Sequence, residues 1–233
     1  MKIRKLYGIG VGPGDPELLT LKACRILKEV DMIVAPRSSE KKRSLALLTI
    51  EGLIKERENL LIVVEPVFPM TKDREKLELY WRKAREEVLE KGKGCETMAF
   101  VTLGDPSMYS TFYRFFDIFK DAVDEIEVIP GVTSFSACSS IAKVPLAEGN
   151  EIVSIIPEAN DKSTKVVDKS DTLIFLKPKN IERIRKQVGK GRAILGIKIG
   201  FEDQKLVLGN LDAIEVPNQY LVTLIVKKEE KEK

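Results

Sequence analysis

The 233-residue chain contains no histidine. That excludes a Ser-His-Asp triad, a Cys-His dyad, a histidine general base and any histidine-ligated metal. Cysteine is scarce: Cys24, Cys95 and Cys138 stand far apart and form no CxxC pair, so neither a zinc ribbon nor a redox dithiol is expected. The odd count, with no secretory leader, points to a reducing cytosol. No apolar run approaches the length of a membrane span. The net charge of +3, from 39 basic and 36 acidic residues, gives no overall field that would select nucleic acid. Chemistry must rest on carboxylates, Lys, Arg, Tyr, Ser/Thr, backbone groups or a reactive cofactor, with no protein-bound metal.

What the chain does contain is alternation. Strand-like segments at 5–11, 32–35, 60–65, 98–103 and 126–129 alternate with helix-like ones at 16–28, 44–55, 73–90, 109–119 and 134–142. Asp15 suits an N-cap and Pro16 a first helical turn. This pattern predicts an α/β fold with a mainly parallel, doubly covered N-terminal sheet over residues 1–143. Residues 144–150 (VPLAEGN) read as a linker to a C-terminal α/β domain over 151–233. There, strands at 152–156, 172–176, 193–199, 205–208 and 220–226 flank a helix at 181–188. The last strands leave little room for crossover helices, which favours antiparallel pairing in a mixed sheet. The KKEEKEK tail reads as solvated.

Turn residues gather where the N-terminal strands end, the rim at which parallel α/β sheets bind ligands. Gly8-Ile9-Gly10-Val11-Gly12-Pro13-Gly14-Asp15 tempts a dinucleotide reading, but GxGxxG fails in both registers and no Walker loop occurs. Gly104-Asp105-Pro106 offers close backbone approach and a carboxylate able to accept from ribose hydroxyls or an ammonium; its plainer reading is a capping turn. At Pro130-Gly131-Val132-Thr133-Ser134 the last two residues either touch a ligand or cap the next helix. Arg37, Lys41, Lys42 and Arg43 follow the second strand, and Lys72 and Arg74 the third. They are either a solvated face or clamps for a polyanionic substrate, Arg37 being the best placed. Tyr109, Phe112, Tyr113 and Phe116 form an aromatic stripe, widened by Phe115 and Phe119, that suits core packing and is compatible with a partner-subunit contact.

The order and spacing of these segments carry more than any one of them. GVGPGDPELLTLKA from Gly10, LGDPSMYSTF from Leu103 and IPGVTSFSA from Ile129 resemble the tetrapyrrole methylase family over nearly the whole chain. The resemblance implies two α/β domains with the active-site cleft between them, and S-adenosyl-L-methionine as methyl donor. It implies donor contacts at Pro13, Leu103, Gly104, Asp105, Met108, Thr133 and Ser134, and at Leu176 and Gly200 of the second domain. FPMTKDREKLELYW from Phe68 and PLAEGNE from Pro145 look like the C-20 methyltransferases acting on precorrin-2 or its cobalt form (cobalt-precorrin-2/cobalt-factor II) in cobalamin biosynthesis. Arg37, Lys41 and Lys42 would then hold the acetate and propionate arms of the tetrapyrrole. The family habit of dimerisation implies a homodimer; the cysteines make it a cytoplasmic one, and charge and the lack of long apolar runs point to no nucleic-acid or membrane partner. Uroporphyrinogen methylases carry Asp-Arg where this chain has Pro36-Arg37, so the proton acceptor proposed there is missing. A corrin methylase acting at C-11 or C-17, a non-enzymatic tetrapyrrole- or nucleotide-binding module and a nucleotide-dependent oxidoreductase remain the alternatives.

Overall fold

The computed structural model describes residues 2–69, 71 and 73–228. Met70 of the FPMT segment, Lys72 and the last five residues of the tail lie outside them. By its internal contacts the chain divides into a first unit ending at Thr133 and a second beginning at Ser134.

In the first unit, β1 (Ile3–Gly10), β2 (Met32–Val34), β3 (Ile62–Val64), β4 (Thr97–Thr102) and β5 (Val123–Ile129) form a sheet in the order β3-β2-β4-β1-β5. Every pairing in it is parallel, as expected. One face is covered by α1 (Leu21–Glu29) and α2 (Leu45–Lys55), whose Ala23, Ile26, Leu27, Ala46, Leu47 and Ile50 bury against Ile9, Ile33, Ala99 and Val101. The other is covered by α3 (Arg74–Lys91) and α4 (Phe112–Phe119). Phe112, Phe115 and Phe119 of α4 are fully buried, so the aromatic helix is mostly core. Tyr109 and Tyr113 of the predicted stripe are exposed. Gly8 makes room for this packing: a Cβ there would fall 2.3 Å from the Phe112 ring.

Two helix boundaries differ from expectation. The helix predicted from Pro16 breaks after one 3-10 turn, Pro16–Leu18, capped by Asp15. Thr20 then takes extended backbone and its hydroxyl accepts the Ala23 N–H, starting α1 afresh. The helix predicted from Tyr109 begins only at Phe112, because Tyr109 is left-handed (φ +53°) and Ser110 Oγ accepts the Phe112 N–H.

Gly52 sits exposed inside α2, and a Cβ there would meet nothing within 4 Å. Gly52→Ala should therefore stabilise the protein by about 0.5–1 kcal/mol through lost unfolded-chain entropy. Thermal unfolding checks this, and a fall in melting temperature contradicts it.

In the second unit, β6 (Val153–Ile156), β7 (Thr172–Phe175), β8 (Gly191–Ile197), β9 (Lys205–Asn210) and β10 (Val222–Lys228) form a mixed sheet in the order β6-β7-β10-β8-β9. Only β6 and β7 pair in parallel; β10 runs against β7 and β8, and β9 against β8. Lys227 and Lys228, read as tail, close β10. No predicted segment corresponds to α6 (Asp161–Val167), a short polar helix started by a capping box at Asn160 and Ser163; α7 (Ile181–Val188) stands where predicted.

By internal contacts the second unit takes in one helix ahead of the 144–150 segment. That helix, α5 (Ser134–Ala142), packs on β8, β9 and β10. Its small residues allow close approach: a Cβ on Gly196 of β8 would lie 2.6 Å from Cys138 Sγ. The 144–150 segment is also tied to the second unit, with Pro145 O accepting from Lys227 Nζ at 3.1 Å.

Candidate functional site

The first sheet brings three loop starts together at the carboxyl ends of neighbouring strands β4, β1 and β5. The loops after β1 and β4 pair through a short antiparallel bridge between Gly12 and Gly104. Gly104 N–H donates to Gly12 O at 2.7 Å, and Val11 N–H to Thr102 O at 2.9 Å. Behind the bridge the backbones touch. A Cβ on Gly10 would fall 2.5 Å from Gly104 O and 2.7 Å from Gly131 N, and one on Gly131 2.2 Å from Gly104 O. In front lies room: a Cβ on Gly104 would meet nothing within 4 Å. Gly104 and Gly12 both have left-handed backbone, with φ of +67° and +74°. The rim is thus closed behind by glycine contacts and open at Gly104.

Asp105 locks this arrangement. Its Oδ2 accepts the Gly131 N–H at 3.0 Å, tying the β5 loop to the β4 loop. Its Oδ1 accepts the Ser107 N–H at 2.7 Å and the Ser107 hydroxyl. Burial alone would raise the Asp105 pKa. The hydrogen bonds from Ser107 and Gly131 outweigh it and hold the carboxyl below its ordinary value. Asp105 is therefore an ionised, heavily engaged carboxylate, suited to holding the rim and poorly suited to taking up a proton.

The remaining predicted positions are distributed as follows. Pro13 is buried in the β1 loop, and Leu103 packs against the α1/α2 side of the core. Met108 is half-buried in the β4 loop, its N–H donating to Asp105 O at 3.1 Å. The chain passes from first to second unit between Thr133 and Ser134; Ser134 Oγ lies 3.1 Å from Thr223 Oγ1 of β10.

Within the second unit, Leu176 follows β7 and Gly200 (φ +90°) follows β8, at the edge where β10 begins. That edge also carries two left-handed residues that sequence reading missed, Lys198 (φ +50°) and Leu221 (φ +61°). They are joined by Lys198 N–H donating to Leu221 O at 2.8 Å. No residue-type signal marks a left-handed Lys or Leu, so only the structure reveals this strain. Cys138, buried beneath it in α5, is no nucleophile, since burial pushes its thiol up to about 12.

Arg37 follows β2 as expected, but its guanidinium is used within the protein. Nε donates to Glu65 O at 2.9 Å and Nη1 to Glu40 O at 3.0 Å, bracing the β2 loop against the β3 loop. Glu65 in turn accepts the Ser44 N–H at 2.8 Å, ahead of α2. Lys41 and Lys42 are exposed and, among the described residues, enter no ion pair.

The model of the tetrapyrrole (corrin/porphyrin) methylases matches residues 5–215. A protein of Methanocaldococcus jannaschii described as a probable cobalt-precorrin-2 C(20)-methyltransferase is 38% identical over 232 residues, spanning 97% of each chain. The cobalt-precorrin-2 C(20)-methyltransferase of Salmonella typhimurium is 32% identical over 178 residues, 74% of this chain and 72% of that one. In structure, the chain is similar to a uroporphyrin-III C-methyltransferase of Thermus thermophilus complexed with S-adenyl homocysteine. The TM-score is 0.67 at 19% identity, over 96% of this chain and 92% of that one.

Proposed function

Since the chain belongs to the tetrapyrrole (corrin/porphyrin) methylase family, we propose that it moves a methyl group from S-adenosyl-L-methionine to the C-20 meso carbon of precorrin-2 or its cobalt form, releasing S-adenosyl-L-homocysteine and the C-20 proton, a step of cobalamin biosynthesis. The observation that carries methyl transfer is the rim at Gly10, Gly104 and Gly131, closed behind by backbone contact and open where a Cβ on Gly104 would stand. C-20 is favoured by end-to-end likeness to a relative described with that regiochemistry.

The residues present fit such a donor. Pro13, Leu103, Gly104, Asp105, Met108, Thr133 and Ser134 would hold it, and Leu176 and Gly200 are the positions proposed from the second unit. The donor supplies a methyl already activated on a sulfonium, so the protein's task is alignment rather than activation. Holding two reactants in line can account for about 7–11 kcal/mol of a barrier. A rim made of backbone suits that task, because glycine contacts and Asp105 leave its loops little freedom. The absence of histidine is then no obstacle. Lys41 and Lys42, exposed and without acidic partners among the described residues, are the proposed holders of substrate carboxylates. Arg37, braced on two carbonyls, would act there by shaping the loop that presents them.

The test is incubation with cobalt-precorrin-2 and methyl-labelled donor, followed by NMR of the product. Label at C-20 is expected. Label at C-11 or C-17 overturns the regiochemistry and leaves methyl transfer standing; donor binding without transfer points to a binding module. We also read the protein as a cytoplasmic homodimer. Three unpaired cysteines suit a reducing compartment, and sedimentation at micromolar concentration checks the dimer.

A further inference from the structure

Tyr109 has no role in the fold that would justify its conformation. Its φ is +53° and it is 59% exposed. A bulky residue with positive φ is uncommon, and such strain persists only where the surroundings over-determine it. Here they do. On one side the Met108 N–H donates to Asp105 O at 3.1 Å. On the other, Ser110 Oγ donates to Thr102 Oγ1 and accepts the Phe112 N–H, each at 3.1 Å. The loop is pinned on both sides of Tyr109 while the side chain is left free. Among the described residues its ring joins no aromatic pair or cation–π contact, and its hydroxyl makes no hydrogen bond.

Two of the aromatic residues that follow it behave differently, while Tyr113 is also exposed. Phe112 and Phe115 are fully buried, and Phe112 fills the space left by Gly8. Tyr109 covers no core, and glycine or asparagine would take its backbone conformation at lower cost. Stability therefore gives no reason for tyrosine at this position. What a pinned loop and a free ring do provide is a rigid aromatic face, on the same loop as Gly104 and Asp105. Such a face stacks on planar π-systems and asks of them only flatness.

We infer that Tyr109 is a stacking contact for the flat face of the tetrapyrrole, setting its affinity and leaving the methyl donor untouched. The inference rests on the methyl-transfer reading above. The phenol enters no bond-making step, so its ring matters and its hydroxyl does not.

Four proteins test this: wild type, Tyr109→Phe, Tyr109→Ala and Tyr109→Asn. Donor affinity is read by calorimetry, tetrapyrrole binding by absorbance titration, turnover by labelled methyl transfer, and stability by melting. Tyr109→Phe should stay within twofold of wild type in tetrapyrrole Kd and KM. Tyr109→Ala and Tyr109→Asn should raise both at least tenfold while donor Kd moves less than twofold. Tyr109→Asn should melt at or above the wild-type temperature, because asparagine tolerates left-handed backbone.

Tetrapyrrole binding by Tyr109→Ala within twofold of wild type overturns the inference. So does a parallel loss of donor affinity, which would make loop shape the cause. A lower melting point for Tyr109→Asn also overturns it, as would turnover lost in Tyr109→Phe. Tetrapyrrole binding that depends on Tyr109 in a wild-type protein that transfers no methyl sinks the C-20 reading alone. A wild type that binds no tetrapyrrole sinks both.

Discussion

Gly131→Ala should cost the protein its methyl donor and part of its stability together. The added Cβ would stand 2.2 Å from Gly104 O and 2.8 Å from the Gly10 carbonyl carbon. Both are backbone atoms, of the β4 loop and the end of β1, so no rotamer change relieves the clash. Gly104 is held by its bridge to Gly12, and Gly10 is the last residue of β1, paired with β4. The rim must open, and opening it pulls the Gly131 N–H from Asp105. Overpacking of this kind costs typically about 1–3 kcal/mol, which for a chain of this size lowers the melting temperature by roughly 3–10 °C. Methyl transfer should fall more steeply, by roughly a hundredfold, since a misplacement of about 1 Å at a positioning site costs that much in rate, and donor affinity should fall with it. Gly10→Ala meets Gly104 O as well, at 2.5 Å, with Gly131 N at 2.7 Å, and should behave alike. Calorimetric titration with S-adenosyl-L-methionine beside a melting curve checks both. A Gly131→Ala protein that binds the donor as wild type does would show that the glycine rim does not hold it.

The same comparison separates kinds of glycine. Gly52 has free space and ordinary helical surroundings, so alanine there should help; Gly131 has neither, so alanine should harm. The sequence separates the two by place, Gly52 inside a helical run and Gly131 at a strand end, but not by the space around them. Gly10, Gly104 and Gly131 drew attention through their place after apolar runs, and the parallel sheet those runs predicted does bring the loops together. What sequence could not express was mutual contact. That Gly104 O is the atom which forbids a side chain at both Gly10 and Gly131 follows from strand order, in which β1 lies between β4 and β5.

Elsewhere, local chemistry overrode periodicity. The run from Pro16 to Lys28 has helical apolar spacing throughout, yet the Thr20 hydroxyl competes for the Ala23 N–H and divides it. α6 escaped notice because seven mostly polar residues carry too little apolar signal; Val167 is its buried anchor and a capping box starts it. α5 was correctly read as a small-residue helix, but nothing local says which sheet it joins. Its contacts with β8, β9 and β10 lie far along the chain. Arg37 illustrates the limit for charged residues. Its place after β2 was readable, and Glu40 O lies only three residues on, whereas its engagement with Glu65 O depends on a loop nearly thirty positions away.

Asp105 is the residue whose loss should be felt most widely after the glycines. Asp105→Ala removes the acceptor for the Gly131 N–H and for both Ser107 donors. Hydrogen bonds to a charged group are worth about 1.5–3 kcal/mol, and leaving a part-buried N–H unpaired adds to the loss. If the rim that Asp105 holds is what grips the donor, donor Kd should rise roughly ten- to a hundredfold, at 1.4 kcal/mol per factor of ten. Asp105→Asn isolates the cause. An amide has the carboxylate's shape but only one acceptor oxygen, so either Gly131 or Ser107 faces an NH2 group. Asparagine should therefore recover only part of the loss. Acidity gives an independent check with a defined sign. The folded carboxyl lies below its ordinary value, held down by Ser107 and Gly131 against the opposing effect of burial. Its stabilisation is present above the unfolded pKa of about 3.9 and fades as pH falls through the lower folded value. Wild type minus Asp105→Asn stability, measured by urea unfolding, should thus be flat from neutrality down to about pH 4 and shrink below it. A difference that grows on acidification, or donor affinity unchanged in Asp105→Ala, would show that this carboxylate does not hold the rim together.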